Sequence, residues 1–198
     1  MAARILHSKA TTKQFAMAFG GYSVTVGRGN NFEQSFPFVV EQILSPLFAS
    51  IGINLSVRNA AIGGIPSFPY GWCLPNYLGT DIDFLSWDFA MNEGNAADGL
   101  EGYLRNSFML NRVVSENPPM FMMLDQKYAR TNVLKRYAEY GHFPDSIAVS
   151  KGEIVPKKFL ELSDEERPIG YQHWNEWGAP KGSPGQQSWH PKYMEHEL

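Results

Sequence analysis

The sequence predicts an α/β fold with three layers, in which a five-stranded parallel sheet is flanked by helices on both faces. Short apolar runs alternate along the chain with longer amphipathic segments, as in strands that are joined by helical crossovers. Two of the runs, residues 15–19 and 120–124, are apolar at every position, which is typical of interior strands buried on both faces. For a chain of 198 residues these features predict the strand order 2-1-3-4-5.

The first predicted strand ends in a glycine-rich turn. Residues 14–19 form the strand, and residues 20–29 follow with four glycines around Ser23. Glycine permits positive φ and close backbone approach, so we expect the Ser23 hydroxyl to be exposed and its N–H to face a substrate oxygen. Active sites of parallel sheets lie at this edge, which makes Ser23 a candidate nucleophile. The alternative is a glycine-rich turn with an incidental serine.

A helix is predicted next, because apolar residues recur at three- and four-residue spacing. Its apolar face is expected to comprise Phe36, Val39, Val40, Ile43, Leu44, Leu47 and Phe48. Gly52 is expected to end this helix, and residues 53–57 alternate as a second strand. A second glycine turn, residues 58–67, follows that strand and contains Gly64.

An aromatic, proline-rich loop is predicted at residues 68–75. Tyr70 and Trp72 are its candidates for lining a substrate pocket. A loop that covers the edge of the core fits the same composition.

The remaining strands of the sheet are predicted further along the chain. They are residues 82–89, 120–124 and 146–149, with helices expected at residues 100–114 and 128–140. The polar turn after the third strand contains Asn92. Three aspartates in or beside that strand, Asp81, Asp83 and Asp88, are interpreted as structural.

The chain is predicted to form one domain. Residues 151–198 are polar, rich in glycine and proline, and carry no apolar core of their own. We therefore assign residues 15–198 to a single domain and residues 1–14 to an N-terminal extension. The sequence stops where a last helix is expected to begin, so the domain is predicted to lack that helix.

Composition argues against several classes of protein. The net charge of −3 and the absence of a basic block do not suggest a nucleic-acid partner. The single cysteine, Cys73, cannot form an internal disulfide, and five scattered histidines give no metal-ligand spacing, so we expect no metal and no cofactor. No apolar run is long enough to span a bilayer, and residues 1–12 lack the apolar stretch of a signal peptide. The chain is expected to be soluble; compartment and oligomeric state are not indicated.

Three turns at one edge of the predicted sheet supply the groups that acyl transfer requires. Ser23, Gly64 and Asn92 lie in these turns, and His190 follows late in the chain. A serine nucleophile needs a base, for which His190 is the candidate. The developing oxyanion needs fixed donors, which the N–H groups of Ser23 and Gly64 and the Asn92 amide can supply.

Each of these residues has a simpler reading. Gly64 alone fits a tight turn, and Asn92 alone fits a turn or cap. Three other histidines compete for the role of base: His142, His173 and His196.

Four short blocks carry the candidate residues: 21–27, 59–64, 90–93 and 187–191. In these blocks the chain resembles the SGNH hydrolases, the GDSL-type esterases and lipases. The first block is similar to the family's Gly-Asp-Ser-x-Thr-x-Gly motif, and the second aligns the family's oxyanion glycine with Gly64. The third is similar to Gly-x-Asn-Asp and aligns its asparagine with Asn92. The last is similar to Asp-x-x-His-Pro and keeps its histidine as His190.

The chain departs from the family at two acidic positions. Tyr22 stands in place of the first motif's aspartate, and Gln187 stands where the triad aspartate would be. We favour a Ser23–His190 dyad in which the Gln187 oxygen, a backbone carbonyl or water accepts the second imidazole proton. The alternatives for the missing acid are Glu176 and Glu195.

The resemblance implies a serine esterase that needs neither cofactor nor metal. Its substrate would be a small-molecule or carbohydrate ester, and an O-acyl ester of a sugar is the leading hypothesis, because sugars stack on aromatic residues such as Tyr70 and Trp72. Two alternatives stay open: an inactive or weakly active binding protein on the same fold, and an O-acyltransferase that uses the same residues.

Overall fold

The structure is a computed structural model, and it describes residues 1–28, 31–67, 74–89, 92, 119–125 and 146–150. Five strands form one sheet: β1 Gln14–Gly21, β2 Asn54–Asn59, β3 Phe84–Asp88, β4 Met120–Asp125 and β5 Ser146–Ser150. Their order is β2-β1-β3-β4-β5, and every neighbouring pair is parallel. The predicted α/β class and the strand order 2-1-3-4-5 are confirmed, with β1 and β4 as interior strands.

Three α-helices lie in the described residues: α1 Ala2–Ala10, α2 Phe36–Ser50 and α3 Leu74–Leu78. A single 3-10 turn, Phe32–Gln34, precedes α2. Gly52 adopts a φ of 78° two residues after the end of α2, as predicted for a glycine that terminates a helix. The helices expected at residues 100–114 and 128–140 lie outside the described residues, and so do residues 151–198.

The core on one face of the sheet is built from alternate residues of β1. Phe15, Met17 and Phe19 all point to this face, since successive side chains of a strand alternate. Phe48 of α2 packs on Phe15 with ring centroids 5.1 Å apart, and Phe36 meets Phe19 edge-on at 5.7 Å. The first and last turns of α2 are therefore both attached to β1, which fixes the helix along the strand.

The predicted apolar face of α2 is wrong at two positions. Ile43 and Leu47 are 59% and 61% exposed. The side chains that pack on the core of the sheet are Phe36, Val40, Leu44 and Phe48, and Val39 is also buried. Residues at positions 43 and 47 lie one above the other, one turn apart, to the side of this stripe. The spacing of apolar residues in the sequence therefore predicts a wider buried face than the one that contacts the sheet.

The segment predicted as an N-terminal extension, residues 1–14, contains α1 and the first residue of β1. Ile5 packs against the α2 side of the core, and Ser8 is buried. The division into an extension and one domain stays a prediction. No helix among the described residues is both long enough and apolar enough to cross a membrane.

Asp83 connects α1 to the sheet. Its Oδ2 accepts a hydrogen bond of 2.9 Å from the N–H of Ala16, and its Oδ1 lies 4.0 Å from Arg4 Nη1. Burial raises the pKa of the Asp83 carboxyl, although the Ala16 N–H and the charge of Arg4 act in the opposite direction. The sequence-based interpretation of Asp83 as structural agrees with these contacts.

The raised pKa of Asp83 predicts a pH-dependent effect of Asp83→Asn. A folded pKa above the unfolded one stabilises the protein below the ordinary carboxyl value of about 4, and that stabilisation is lost as pH rises through the raised pKa. The asparagine keeps an acceptor for Ala16 but does not ionise. We therefore expect the thermal midpoint of Asp83→Asn, relative to that of the wild type, to be higher at pH 7 than at pH 4. Calorimetry at both pH values measures this, and a midpoint difference that does not change with pH would contradict it.

Candidate active site

Three turns meet at the carboxyl edge of the sheet, where β1, β2 and β3 end. The N–H of Tyr22, just after β1, donates to the Asp88 carbonyl at the end of β3 over 3.0 Å. The N–H of Ile62, in the turn after β2, donates to the Gly21 carbonyl over 3.0 Å. The turn after β1 is therefore connected by backbone hydrogen bonds to both of its neighbours.

Ser23 lies at the start of the turn that follows β1. The N–H of Val26 donates to the Tyr22 carbonyl at 3.1 Å, and the N–H of Arg28 donates to the Ser23 carbonyl at 2.9 Å. Gly27 has a φ of 79°, and a Cβ there would lie 2.7 Å from Ser35 Cβ, just before α2. Glycine is required at this position by the left-handed backbone and by the close approach to Ser35.

The expectation that Ser23 is exposed is wrong. The residue is only 3% exposed. The turn after β2 lies beside the serine, because a Cβ placed on Gly63 would be at an ordinary contact distance of 3.5 Å from Ser23 Cβ. A glycine-rich turn at this edge therefore does not by itself expose the serine.

Gly64 and Asn92, the two candidate oxyanion donors besides Ser23, lie in connected turns. Gly64 has a φ of 83°, and a Cβ there would have no neighbour within 4 Å, so its backbone conformation rather than space favours glycine. The side-chain amide of Asn92 donates to the Ile65 carbonyl over 2.9 Å. The N–H of Asn92 also donates to the Phe89 carbonyl at 2.9 Å, which closes the turn after β3. Asn92 therefore attaches the β3 turn to the residue beside Gly64.

A network of buried and half-buried polar groups lies beneath these turns. The Thr25 hydroxyl donates to Asp88 Oδ2 over 2.8 Å, and both residues are fully buried. The Asn59 amide donates to the Thr25 carbonyl at 2.8 Å and to Ser35 Oγ at 2.9 Å. Asn59 Oδ1 accepts from the N–H of Ala61 at 3.2 Å. These contacts connect the turn after β1 to the ends of β2 and β3 and to the start of α2.

Sequence reasoning did not identify Asn59 or Asp88 as residues of the site. Asn59 belongs to the second sequence block, which is the signal that could have drawn attention to it. Asp88 was interpreted as structural, and its partner Thr25 is 63 residues away in the chain, so local spacing gives no indication of the contact.

An ion pair holds residues 78–81, which begin at the end of α3. Arg58 Nη1 and Nη2 donate to Asp81 Oδ1 and Oδ2 at 2.6 and 2.8 Å, and Nη1 also donates to the Leu78 carbonyl at the end of α3. The hydrogen bond from Arg58 holds the pKa of Asp81 below its usual range and raises the pKa of Arg58. Asp81 thus has a structural partner, as the sequence suggested, and Arg58 of β2 bonds to both Asp81 and the end of α3.

The other candidate residues lie outside the described part of the chain. They are Tyr70, Trp72, Gln187 and His190, with the competing bases and acids. Within the described ranges, no three histidine, cysteine, aspartate or glutamate side chains are grouped as a metal site would require.

The contact between Gly63 and Ser23 predicts how substitutions at position 63 affect access to the serine. The backbone at Gly63 is outside the left-handed region, so a side chain is conformationally allowed. Gly63→Ala adds a methyl at ordinary contact distance and should leave Ser23 reactivity nearly unchanged. Gly63→Val places further methyls next to Ser23, and we expect at least a roughly tenfold slower reaction with a fluorophosphonate, since small misplacements of reacting groups are costly. Equal rates for the two variants would contradict this packing.

Comparison with known proteins finds similarity in structure only. No protein-family model matches the sequence, and no curated protein is significantly similar to it. A two-domain esterase active on acetylated mannans is similar with a TM-score of 0.65 and 18% identity, over 98% of this chain and 48% of that one. An active-site mutant of a family two carbohydrate esterase from Clostridium thermocellum is similar with a TM-score of 0.52 and 12% identity, over 92% and 60% of the two chains. The chain spans about half the length of the two-domain esterase.

These likenesses establish the fold. The chain has the α/β fold of the SGNH-type esterases, as its four sequence blocks predict.

Proposed function

We propose that the protein is a serine esterase of the SGNH kind, with Ser23 as nucleophile and His190 as general base. One observation carries the proposal: the turns that contain Ser23, Gly64 and Asn92 converge at the carboxyl edge of the sheet and are bonded to one another. The parallel order β2-β1-β3 places these three turns side by side. The support for a site is that the residues of three SGNH-like blocks occupy them, at the edge where active sites of open α/β sheets lie.

The proposed reaction proceeds through an acyl-enzyme. His190 takes the proton of the Ser23 hydroxyl while the oxygen attacks the ester carbonyl, and the carbonyl oxygen becomes an oxyanion. The tetrahedral intermediate collapses, the C–O bond to the alcohol breaks, and the imidazolium of His190 returns the proton to the alcohol. Water then attacks the acyl group by the same steps, which releases the acid and restores Ser23.

The oxyanion is stabilised by donors that the fold holds in fixed positions. The proposed donors are the N–H groups of Ser23 and Gly64 and the side-chain amide of Asn92. A primary amide carries two N–H groups, so Asn92 can donate to the Ile65 carbonyl and to the oxyanion together. The hydrogen bond to Ile65 would then fix the direction of the second N–H.

The proposed substrate is an O-acyl ester of a carbohydrate. Two observations support it: the similar structures are carbohydrate esterases, one of them active on acetylated mannans, and the sequence just before α3 carries Tyr70 and Trp72. Aromatic side chains stack on the apolar faces of sugar rings. The chemistry proposed here uses protein groups alone.

Labelling with a fluorophosphonate tests the proposal directly. The wild-type protein is incubated with the probe, digested and analysed by mass spectrometry, and a panel of acetylated sugars is assayed for released acetate. We expect the label on Ser23 and faster release from acetylated oligosaccharides than from p-nitrophenyl acetate at equal concentration. A folded protein that neither reacts nor releases acetate would instead be a binding protein. Transfer of the acetyl group to an added sugar in preference to water would identify a transferase.

A further inference from the structure

Asp88 contacts the turn after β1 on both sides of Ser23. Its main-chain carbonyl accepts the N–H of Tyr22 at 3.0 Å, and its carboxylate Oδ2 accepts the Thr25 hydroxyl at 2.8 Å. Ser23 lies between the two donors in sequence. Asp88, at the end of β3, therefore accepts hydrogen bonds from residues on both sides of Ser23 in the sequence.

The contact is tight and buried. Asp88 and Thr25 are both 0% exposed. A Cβ added to Gly21 would lie only 2.3 Å from Thr25 Oγ1 and 3.0 Å from the Asp88 carbonyl oxygen, so the Thr25 side chain rests directly on the Gly21 backbone. A hydrogen bond in such buried surroundings is electrostatically stronger than one in water, and it holds its partners more rigidly.

Asp88 also stands close in sequence to the proposed oxyanion donor. Only four positions separate it from Asn92, and the hydrogen bond from the Asn92 N–H to the Phe89 carbonyl closes the turn between them. One connection between the Ser23 turn and Asn92 therefore runs through Asp88, and a second runs through the turn after β2, which bonds to both Gly21 and Asn92. In acyl transfer the attacking oxygen and the oxyanion donors must be in register, and a displacement of about 1 Å can slow a reaction by about a hundredfold.

From these contacts we infer that Asp88, acting through Thr25, is a positioning residue that keeps Ser23 in register with the oxyanion donors. The inference rests on the proposed esterase function. It assigns to Asp88 no contact with substrate, and it gives Thr25 a role that its hydroxyl performs and its methyl group does not.

The test compares Thr25→Ser with Thr25→Ala. The serine variant keeps the hydroxyl, the alanine variant loses it, and both lose the methyl, so their difference isolates the hydrogen bond to Asp88. The readouts are kcat and KM for acetate release, the rate of fluorophosphonate labelling at Ser23, and the thermal midpoint. All kinetics are measured well below that midpoint, where each variant is fully folded.

We expect Thr25→Ala to lower kcat about ten- to a hundredfold with KM changed less than about threefold, and Thr25→Ser to restore most of that loss. Equal kcat values for the two variants, with a lower midpoint for the alanine variant, would show that the pair only stabilises the fold and would overturn the inference. Wild-type protein that neither labels nor hydrolyses would overturn the proposed function, and the positioning role with it.

A double-variant cycle tests whether Thr25 acts through Asp88. If it does, Thr25→Ala added to Asp88→Ala should lower kcat no further than Asp88→Ala alone. Additive losses would assign the effect of Thr25 to its own packing and would contradict a role for Asp88. If Asp88→Ala does not fold, the serine and alanine variants of Thr25 still decide between the outcomes.

Discussion

Ser23→Ala is expected to reduce ester hydrolysis by at least about a thousandfold and to abolish labelling by a fluorophosphonate. The proposed reaction forms its covalent bond to the Ser23 oxygen, and alanine has no atom that can replace it. The backbone hydrogen bonds of the turn do not involve the side chain, so the fold should persist. Steady-state acetate release and mass spectrometry of the treated protein measure both effects, and circular dichroism checks the fold.

The matched control is Ser50→Ala. Ser50 lies at the end of α2, before β2 begins at the opposite edge of the sheet, and its hydroxyl donates to the Leu47 carbonyl over 2.7 Å. Removing this hydroxyl should leave kcat unchanged. If the two variants hydrolyse the ester equally well, the nucleophile is not Ser23. Retention of labelling at another residue in the Ser23 variant would show where it is.

The sheet was predictable because its strands are locally distinctive. Residues 15–19 and 120–124 are apolar at every position, and only an interior strand of a covered parallel sheet requires that. The order then follows from the number of strands and from the alternation with helices. The extra residues of β1, Gly20 and Gly21, were not predicted, because glycine has a low strand propensity and these two residues belong to the strand only through their pairing with β3.

The apolar face of α2 and the exposure of Ser23 could not be predicted for the same reason. Both depend on what packs against the element, and an apolar pattern or a glycine-rich turn does not contain that information. Ile43 and Leu47 follow helical spacing but lie beside the contact with the sheet. Ser23 is buried in the fold, and one neighbour of it is the turn that contains Gly63, 40 residues further along the chain.

The sequence predicts the turns of the candidate site but not the hydrogen bonds that hold those turns in place. Three of the four blocks point to Ser23, Gly64 and Asn92, because motif spacing is local. The hydrogen bonds that fix those turns join Asn59 to Thr25 and Thr25 to Asp88, and they are tertiary contacts between ordinary polar residues. Only the folded structure brings them together, so the positioning role of Asp88 has no counterpart in the sequence pattern.

Asn92→Ala is expected to lower kcat by about 10²–10³-fold with a small change in KM, which is the usual cost of removing one oxyanion donor. We expect kcat to change more than KM because the amide is proposed to donate to charge that develops only in the transition state. Asn92 also donates to the Ile65 carbonyl, so the variant loosens the turn beside Gly64 as well. The two roles differ in what they change: a lost anchor lowers the thermal midpoint and raises KM, whereas a lost oxyanion donor lowers kcat.

Asn54→Ala supplies the matched comparison, because it removes an amide of the same chemical kind at the other edge of the sheet. The Asn54 amide donates to Gln14 Oε1 over 2.9 Å, where β2 and β1 begin. We expect this variant to keep the wild-type kcat. Steady-state kinetics and thermal unfolding of both variants decide the role of Asn92. A kcat within a few-fold of wild type, together with a lower thermal midpoint, would leave Asn92 as an anchor of the Gly64 turn and remove it from the oxyanion hole.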